Sequence, residues 1–221
     1  MRREIITTGD GSVTIHLPDK NENYHSKFGA ITEARHVFIN NGLALTKGRP
    51  VAILEIGFGT GLNAFITYAE ALKSGQVINY TGVEAYPVAE EEAKQMNYAS
   101  ELETGEEGKT VFEAMHAAPW GEAVSINDKF TLTKQQKFFH EINDAEIYDL
   151  IYFDAFGYPV QPELWSEEIF SKMYKALKPG GILVTYACRS VIKNNMKAVG
   201  FITEKLPGPP GKREMLRGVK S

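Results

Sequence analysis

Three glycines at alternate positions, Gly57, Gly59 and Gly61, separate the run Val51–Ile56 from a segment starting near Leu62 that can continue as a helix. The run is short, mostly apolar and rich in β-branched residues, as a parallel strand buried on both faces requires. The glycines let the backbone turn tightly and approach a ligand that any Cβ would push away. This is the strand, turn and helix of a nucleotide-binding unit, although glycine-rich turns also serve as plain tight packing. Spacing narrows the ligand. The dinucleotide pattern G-x-G-x-x-G would need a glycine where the chain has Leu62, and no G-K-[ST] follows to make a phosphate-binding loop.

The run Glu55-x-Gly57-x-Gly59-x-Gly61 instead resembles the first motif of the class I S-adenosylmethionine-dependent methyltransferases. That resemblance implies a cofactor cradle from Glu55, Gly57, Phe58, Gly59, Thr60, Gly61 and Asn63. The next strand, about 77–83, ends at Glu84 and Ala85. A carboxylate at the end of the second strand can accept hydrogen bonds from both hydroxyls of a ribose. A later apolar strand runs to Phe153 and ends in Asp154, Ala155 and Phe156. Strand ends in such sheets meet at one crevice, so Asp154 is expected beside the glycine turn and the methyl group to be transferred. Many methyltransferases place an aspartate after the third strand to hold the adenine amino group. Here that region reads Lys134, Gln135, Gln136, Lys137, Phe138, so the contact is missing or made by an amide.

A chain of 221 residues is long enough for one α/β domain with a full core. The expected architecture is a Rossmann-like class I fold, a mostly parallel seven-stranded sheet with helices on both faces, over 46–221. Residues 1–45 form a small extension, a hairpin and then a helix serving as lid or pocket wall. In that helix, over 30–39, Ala30, Val37 and Phe38 can share a face while Glu33 and Arg35 point elsewhere. The acidic, glycine-containing stretch 100–108 reads as a mobile surface loop. The single cysteine, Cys188, has no disulfide partner, which suits a reducing compartment and a small buried hydrophobe. No apolar run is long enough to span a membrane, and a soluble, cytoplasmic protein is expected. His16, His25 and His36 lack the spacing of a helical metal pair, so no metal is expected.

Net charge is −4, but residues 171–221 hold 11 Lys/Arg against 2 Asp/Glu, leaving +9 there and −13 on the rest. Such an asymmetry can be the footprint of a polyanion or merely solvated outer helix faces, and charge alone does not choose.

A second resemblance reaches almost end to end. Its residues are Tyr24-x-Ser26, Glu33-x-Arg35-His36-Val37-Phe38, the glycine turn, Glu84, Pro119-Trp120, Asp154-x-Phe156, Pro162-Glu163-x-Trp165 and Lys212-Arg213-Glu214-Met215. Together they resemble the methyltransferases that finish 5-methylaminomethyl-2-thiouridine in bacterial tRNA, the family of MnmD and the amino-terminal domain of MnmC. The resemblance implies S-adenosylmethionine as cofactor and a tRNA anticodon loop as partner; a monomer is expected, although nothing in the residues fixes the oligomeric state. Asp154 would be the catalytic residue. Tyr24, Ser26, Phe156, Tyr158 and Glu163 would meet the substrate, with Lys212 and Arg213 on anticodon phosphates. Two positions depart from the pattern: Tyr158 stands where a proline is expected after Asp-x-Phe-x, and Gln161 where an asparagine precedes Pro162. The length leaves no room for the flavin-dependent oxidase half of the bifunctional enzyme, so another enzyme is expected to make the acceptor amine. Three rival readings are a methyltransferase of small-molecule or protein amines, a nucleotide-binding module without catalysis, and a dehydrogenase, which the glycine spacing opposes.

Overall fold

The structure is a computed structural model and describes residues 2–221. The extension opens with β1 (Glu4–Thr7), β2 (Val13–Leu17) and β3 (Glu22–Asn23), an antiparallel three-stranded sheet. Then come α1 (Ala30–Ala34), continued by a wider π-helical turn over Arg35–Asn40, and the central elements β4 (Val51–Ile56), α2 (Leu62–Ser74) and β5 (Ile78–Glu84). Three helices follow, α3 (Glu90–Ala93), α4 (Tyr98–Glu101) and α5 (Gly105–Ala117), leading to β6 (Ala123–Asn127) and β7 (Phe130–Gln136). The chain ends with β8 (Tyr148–Phe153), α6 (Glu167–Ala176), β9 (Leu177–Thr185), α7 (Ser190–Ala198), β10 (Ile202–Pro207) and β11 (Glu214–Val219).

The main sheet has the order β10-β11-β9-β8-β4-β5-β7-β6. β7, β5, β4, β8 and β9 are mutually parallel, while β11 runs antiparallel between β9 and β10. This is the expected α/β sheet carrying eight strands, one more than expected. The additional one is β6, an antiparallel edge strand paired to β7. Its residues are largely outside the core, so it left no apolar signature.

Period-two alternation divides the central strands between two cores. Ile53, Leu150 and Tyr152 face the side covered by α1, α2 and the extension. Leu54, Ile56, Ile151 and Phe153 face the side covered by α6 and α7. The parallel register pairs Ile56 with both Val83 and Phe153, so β4, β5 and β8 end level with one another. Their following residues share one rim.

Three expectations change in the structure. The stretch 100–108 is not a loop: α4 and the start of α5 occupy it. Glu106 and Glu107 lie in the first turn of α5, where carboxylates favour the positive end of the helix dipole, and Phe112 and Met115 bury its inner face. Glu33 does not point away from the core side but is 8% exposed. Cys188 is half-buried rather than buried.

The extension is tied down at several points. Asp10 accepts hydrogen bonds from the Thr32 backbone N–H and hydroxyl, each 2.8 Å, joining the hairpin turn to α1. Against the effect of burial, bonds from Ser12, Thr32 and Thr8 hold the Asp10 pKa down to about 2. Across the gap, Val13 N–H donates to the Asn97 amide oxygen and Arg3 pairs with Glu92 at 2.7 Å. Among the described residues no helix is long and apolar enough to cross a membrane.

Candidate active site

At the shared rim of β4, β5 and β8 lies a cavity of about 280 Å³, closed on one side by Tyr24 and His25 of the extension. The glycine turn forms its floor. Gly57 has φ +89°, and a Cβ there would stand 2.7 Å from the Asp154 carbonyl oxygen. Only glycine lets β4 and β8 release their chains this close together. Gly61, at φ +76°, is kept bare by the His116 ring on the outer side of the turn, and it begins α2.

Glu84 lines the cavity at the end of β5 and is held by the turn it faces. One carboxylate oxygen accepts from Gly59 N–H at 3.1 Å and the other from Tyr86 N–H at 2.9 Å. Each oxygen keeps lone-pair capacity for a ligand hydroxyl.

Beneath the floor, Asn63 bridges two acids. Its amide nitrogen donates to Glu55 at 2.9 Å and to Asp154 at 2.8 Å. Glu55 is fully buried, and burial, with the nearby Asp154 charge, pushes its pKa well above the carboxylate range. Burial thus favours the protonated form of Glu55, which supports Asn63 from beneath the floor. Asp154 is only partly withdrawn from solvent and lines the cavity. Burial and then the Glu33 charge raise its pKa to about 7, opposed by the Asn63 hydrogen bond and the Lys212 charge. The Asn63 amide oxygen is a buried acceptor without a protein partner, which the ammonium of an amino-acid-bearing ligand can satisfy.

One wall of the cavity is aromatic, and its Tyr24 ring reaches the turn itself, 3.2 Å from where a Cβ on Gly59 would stand. Phe156 packs edge-on against Tyr24, with centroids 5.1 Å apart, and its carbonyl accepts from the buried Trp165 indole at 2.8 Å. Tyr186, immediately beyond β9, donates to the Ala155 carbonyl at 2.8 Å, and the Lys212 ammonium sits 4.4 Å over its ring. Lys212 in turn pairs with Glu33, whose other oxygen accepts from Ser26 N–H at 3.2 Å. This ion pair joins α1 to the loop before β11.

Comparison with known proteins agrees with that geometry. A family model described as S-adenosyl-L-methionine-dependent methyltransferase matches residues 121–221. A bifunctional protein of Leptospira borgpetersenii serovar Hardjo-bovis, named tRNA 5-methylaminomethyl-2-thiouridine biosynthesis bifunctional protein MnmC, is 32% identical over 88% of this chain and 32% of its own length. The protein of the same name from Paracidovorax citrulli is 28% identical over 90% of this chain and 33% of its own. The crystal structure of MNMC2 from Aquifex aeolicus superposes with a TM-score of 0.80 at 20% identity, covering all of this chain and 70% of that one. The chain has the fold of the S-adenosyl-L-methionine-dependent methyltransferases, and residues 121–221 match that family's model. It spans about a third of the length of the MnmC proteins it matches.

The family whose model matches residues 121–221 uses S-adenosylmethionine, and the residues present fit that group: a turn at Gly57 with no room for a Cβ beside the Asp154 carbonyl, a carboxylate at the end of β5 and an unpartnered acceptor at Asn63. Of the residues expected from sequence, Gly57, Phe58, Gly59, Asn63, Glu84, Ala85, Asp154, Ala155, Phe156, Tyr24 and Glu163 all line the cavity. Others sit behind or beside it. Thr60 is buried against the Tyr98 hydroxyl, Gly61 meets His116, and the Ser26 hydroxyl accepts from Phe28 N–H. Tyr158, Lys212 and Arg213 line a neighbouring groove.

Several lining residues carry no motif. Tyr186 is one, although the strand-end rule that selects Glu84 and Asp154 also selects the residue after β9. At the far end, beyond β7, the cavity is lined by Phe138, Phe139 and His140, with Phe138 and His140 stacked at 5.5 Å. Lys134 does not reach this cavity. It lies under the Trp120 ring at 4.9 Å and donates to the His116 carbonyl, and burial lowers its pKa to about 8. That end of the cavity is therefore walled by aromatic rings instead of an acid.

Proposed function

We propose that this methyltransferase transfers a methyl group to the aminomethyl nitrogen of 5-aminomethyl-2-thiouridine at the tRNA wobble position, giving 5-methylaminomethyl-2-thiouridine. The observation that carries the reading is the match over nearly the whole chain to proteins named for the biosynthesis of that nucleoside, with Asp154 at the mouth of the cofactor cradle.

The chemistry suits these residues. S-adenosylmethionine, when bound, supplies an electrophilic methyl group on a sulfonium. An alkylamine has a pKa of about 10, as lysine does, and as an ammonium it has no lone pair with which to attack. The acceptor must lose one proton before the nitrogen–carbon bond forms, and a second when the product amine is released neutral. Asp154, raised to about 7, is a much better matched proton acceptor for that ammonium than an ordinary aspartate. Asn63 holds the Asp154 carboxylate in place, and Gly57 brings it against the turn. Tyr24 and Phe156, packed edge to face, offer ring surface on which a flipped-out uracil can stack, since sequence-specific RNA recognition favours splayed single-stranded bases. Glu163 lies on the same wall and can accept from the acceptor ammonium or base.

The test is methyl transfer from S-adenosylmethionine to tRNA carrying 5-aminomethyl-2-thiouridine, read by nucleoside mass spectrometry, beside tRNA lacking that modification. Conversion of the modified tRNA alone supports the assignment. Cofactor binding without conversion of either tRNA would redirect the search to other amines.

A further inference from the structure

Beside the catalytic cavity runs a second, more open groove of about 400 Å³. One wall is the loop Gly157, Tyr158 and Pro159, and the other is Arg189, Ile192 and Arg213. Tyr186 lines both spaces, so the groove continues directly from the acceptor side of the cavity. Its surface is mostly ring and aliphatic carbon, rimmed by two guanidinium groups. The Arg189 guanidinium lies 5.9 Å from the Tyr158 centroid, near the outer limit of a cation–π contact, so the ring is only loosely capped.

The charges at this rim are unequal. Glu214 faces the groove but is already engaged by Lys205 at 2.7 Å, and Lys212 is engaged by Glu33. Arg189 and Arg213 are exposed and make no ion pair among the described residues. The groove therefore presents cationic donors without matching acids, within the segment that carries +9. An apolar ring platform beside unmatched guanidinium groups suits a nucleobase with its phosphate.

We propose that this groove takes the nucleotide adjacent to the modified uridine, its base laid on Tyr158 in place of the loose Arg189 cap and its phosphate between Arg189 and Arg213. The proposal rests on the tRNA reading above and adds to it a second subsite. Once the target base enters the cavity, its neighbour is one phosphodiester away and must lie on the adjoining surface. The groove is aromatic and cationic and shares the Tyr186 wall with the acceptor side of the cavity. Tyr158 accordingly serves the neighbouring base, while Phe156 and Tyr24 serve the target base.

The test compares Tyr158→Ala, Tyr158→Trp, Arg189→Ala and Arg213→Ala with the parent enzyme. Steady-state methylation of aminomethyl-modified tRNA is measured alongside S-adenosylmethionine affinity, and tRNA binding is measured over a range of salt. Tyr158→Ala is expected to raise KM for tRNA about tenfold, the scale of one base–aromatic stack, with Tyr158→Trp close to the parent and cofactor affinity unchanged. Each arginine variant is expected to flatten the salt dependence of tRNA binding by about one unit of slope. A p-benzoylphenylalanine introduced in place of Tyr158 should crosslink to the nucleotide flanking the wobble position. An unchanged KM in Tyr158→Ala, an equal loss of cofactor affinity, or a crosslink mapping elsewhere on the tRNA overturns the subsite. If the parent methylates no aminomethyl tRNA while the groove variants still lose tRNA binding, the groove stands and the choice of acceptor falls.

Discussion

The two sides of the cavity are built in different ways. The cofactor side comes from one continuous unit, β4, its glycine turn, α2 and β5, in which Gly59 and Glu84 meet across only 25 positions. The acceptor side joins Phe156, Glu163 and Tyr186 to both ends of the chain: Lys212 reaches Glu33 across 179 positions, and the His36 ring meets the Pro207 carbonyl across 171. Backbone conformation and glycine do most of the work on the first side. Side-chain contacts between distant segments do it on the second. A shared methyl-donor site can thus persist while the acceptor wall is free to differ.

Asp154 stands where the two sides meet, and its removal should have the largest effect. Asp154→Asn is expected to lower kcat by about 10²- to 10⁴-fold, the range of a lost general base, while cofactor affinity by calorimetry changes little. A comparable loss of cofactor affinity would place Asp154 on the cofactor side alone. The same variant has a second readout. The Asp154 pKa is raised from 3.8 to about 7 in the fold, so the folded chain holds this proton more tightly than the unfolded chain. Ionisation therefore costs stability progressively as pH rises through that interval. Asp154→Asn should melt above the parent at pH 8, and the difference should vanish near pH 4.

Gly57→Ala attacks the cofactor side through its backbone. The added Cβ would meet the Asp154 carbonyl, and the φ of +89° is unfavourable for alanine. A stability loss of about 1–3 kcal/mol is expected from thermal or urea melting, with loss of cofactor binding. Glu84→Gln is milder. It weakens charge-assisted hydrogen bonding to the ribose and should raise the cofactor Kd about tenfold or somewhat more, leaving tRNA binding unchanged.

The smallest effects should come from the long-range pair, and they carry opposite signs. Glu33 raises the Asp154 pKa and Lys212 lowers it. Glu33→Gln should therefore move the acidic limb of the kcat profile to lower pH, and Lys212→Met should move it to higher pH. A shift in the same direction for both would mean that the pair acts only by holding the wall together.

What could be read from the sequence follows the same division. The glycine turn, Glu84 and Asp154 were legible because a strand end and its next few residues define them locally, and the parallel register then brings them together. Glu33 was misread because a helical wheel for 30–39 assumes an even 3.6-residue period, whereas the helix widens at Arg35–Asn40 and Glu33 finds a lysine near the other end of the chain. The stretch 100–108 was misread because glycine and acids suggested a loop where the acids favour a helix start. Phe138 and His140 had no local signal: they matter because the loop after β7 folds over the cavity end. Tyr158 had the right chemistry but lies one space further along, which only the three-dimensional path of its loop defines.

The closure between Glu33 and Lys212 also sets an order of events during synthesis. A ribosome that has released the chain through β9 has already made the glycine turn, Glu84 and Asp154, but residue 212 is not yet available to seat α1. Such a nascent chain possesses the donor half of its chemistry and an unfinished wall for the acceptor. The wall that Glu33 and Lys212 join is therefore complete only once the last hairpin is in place.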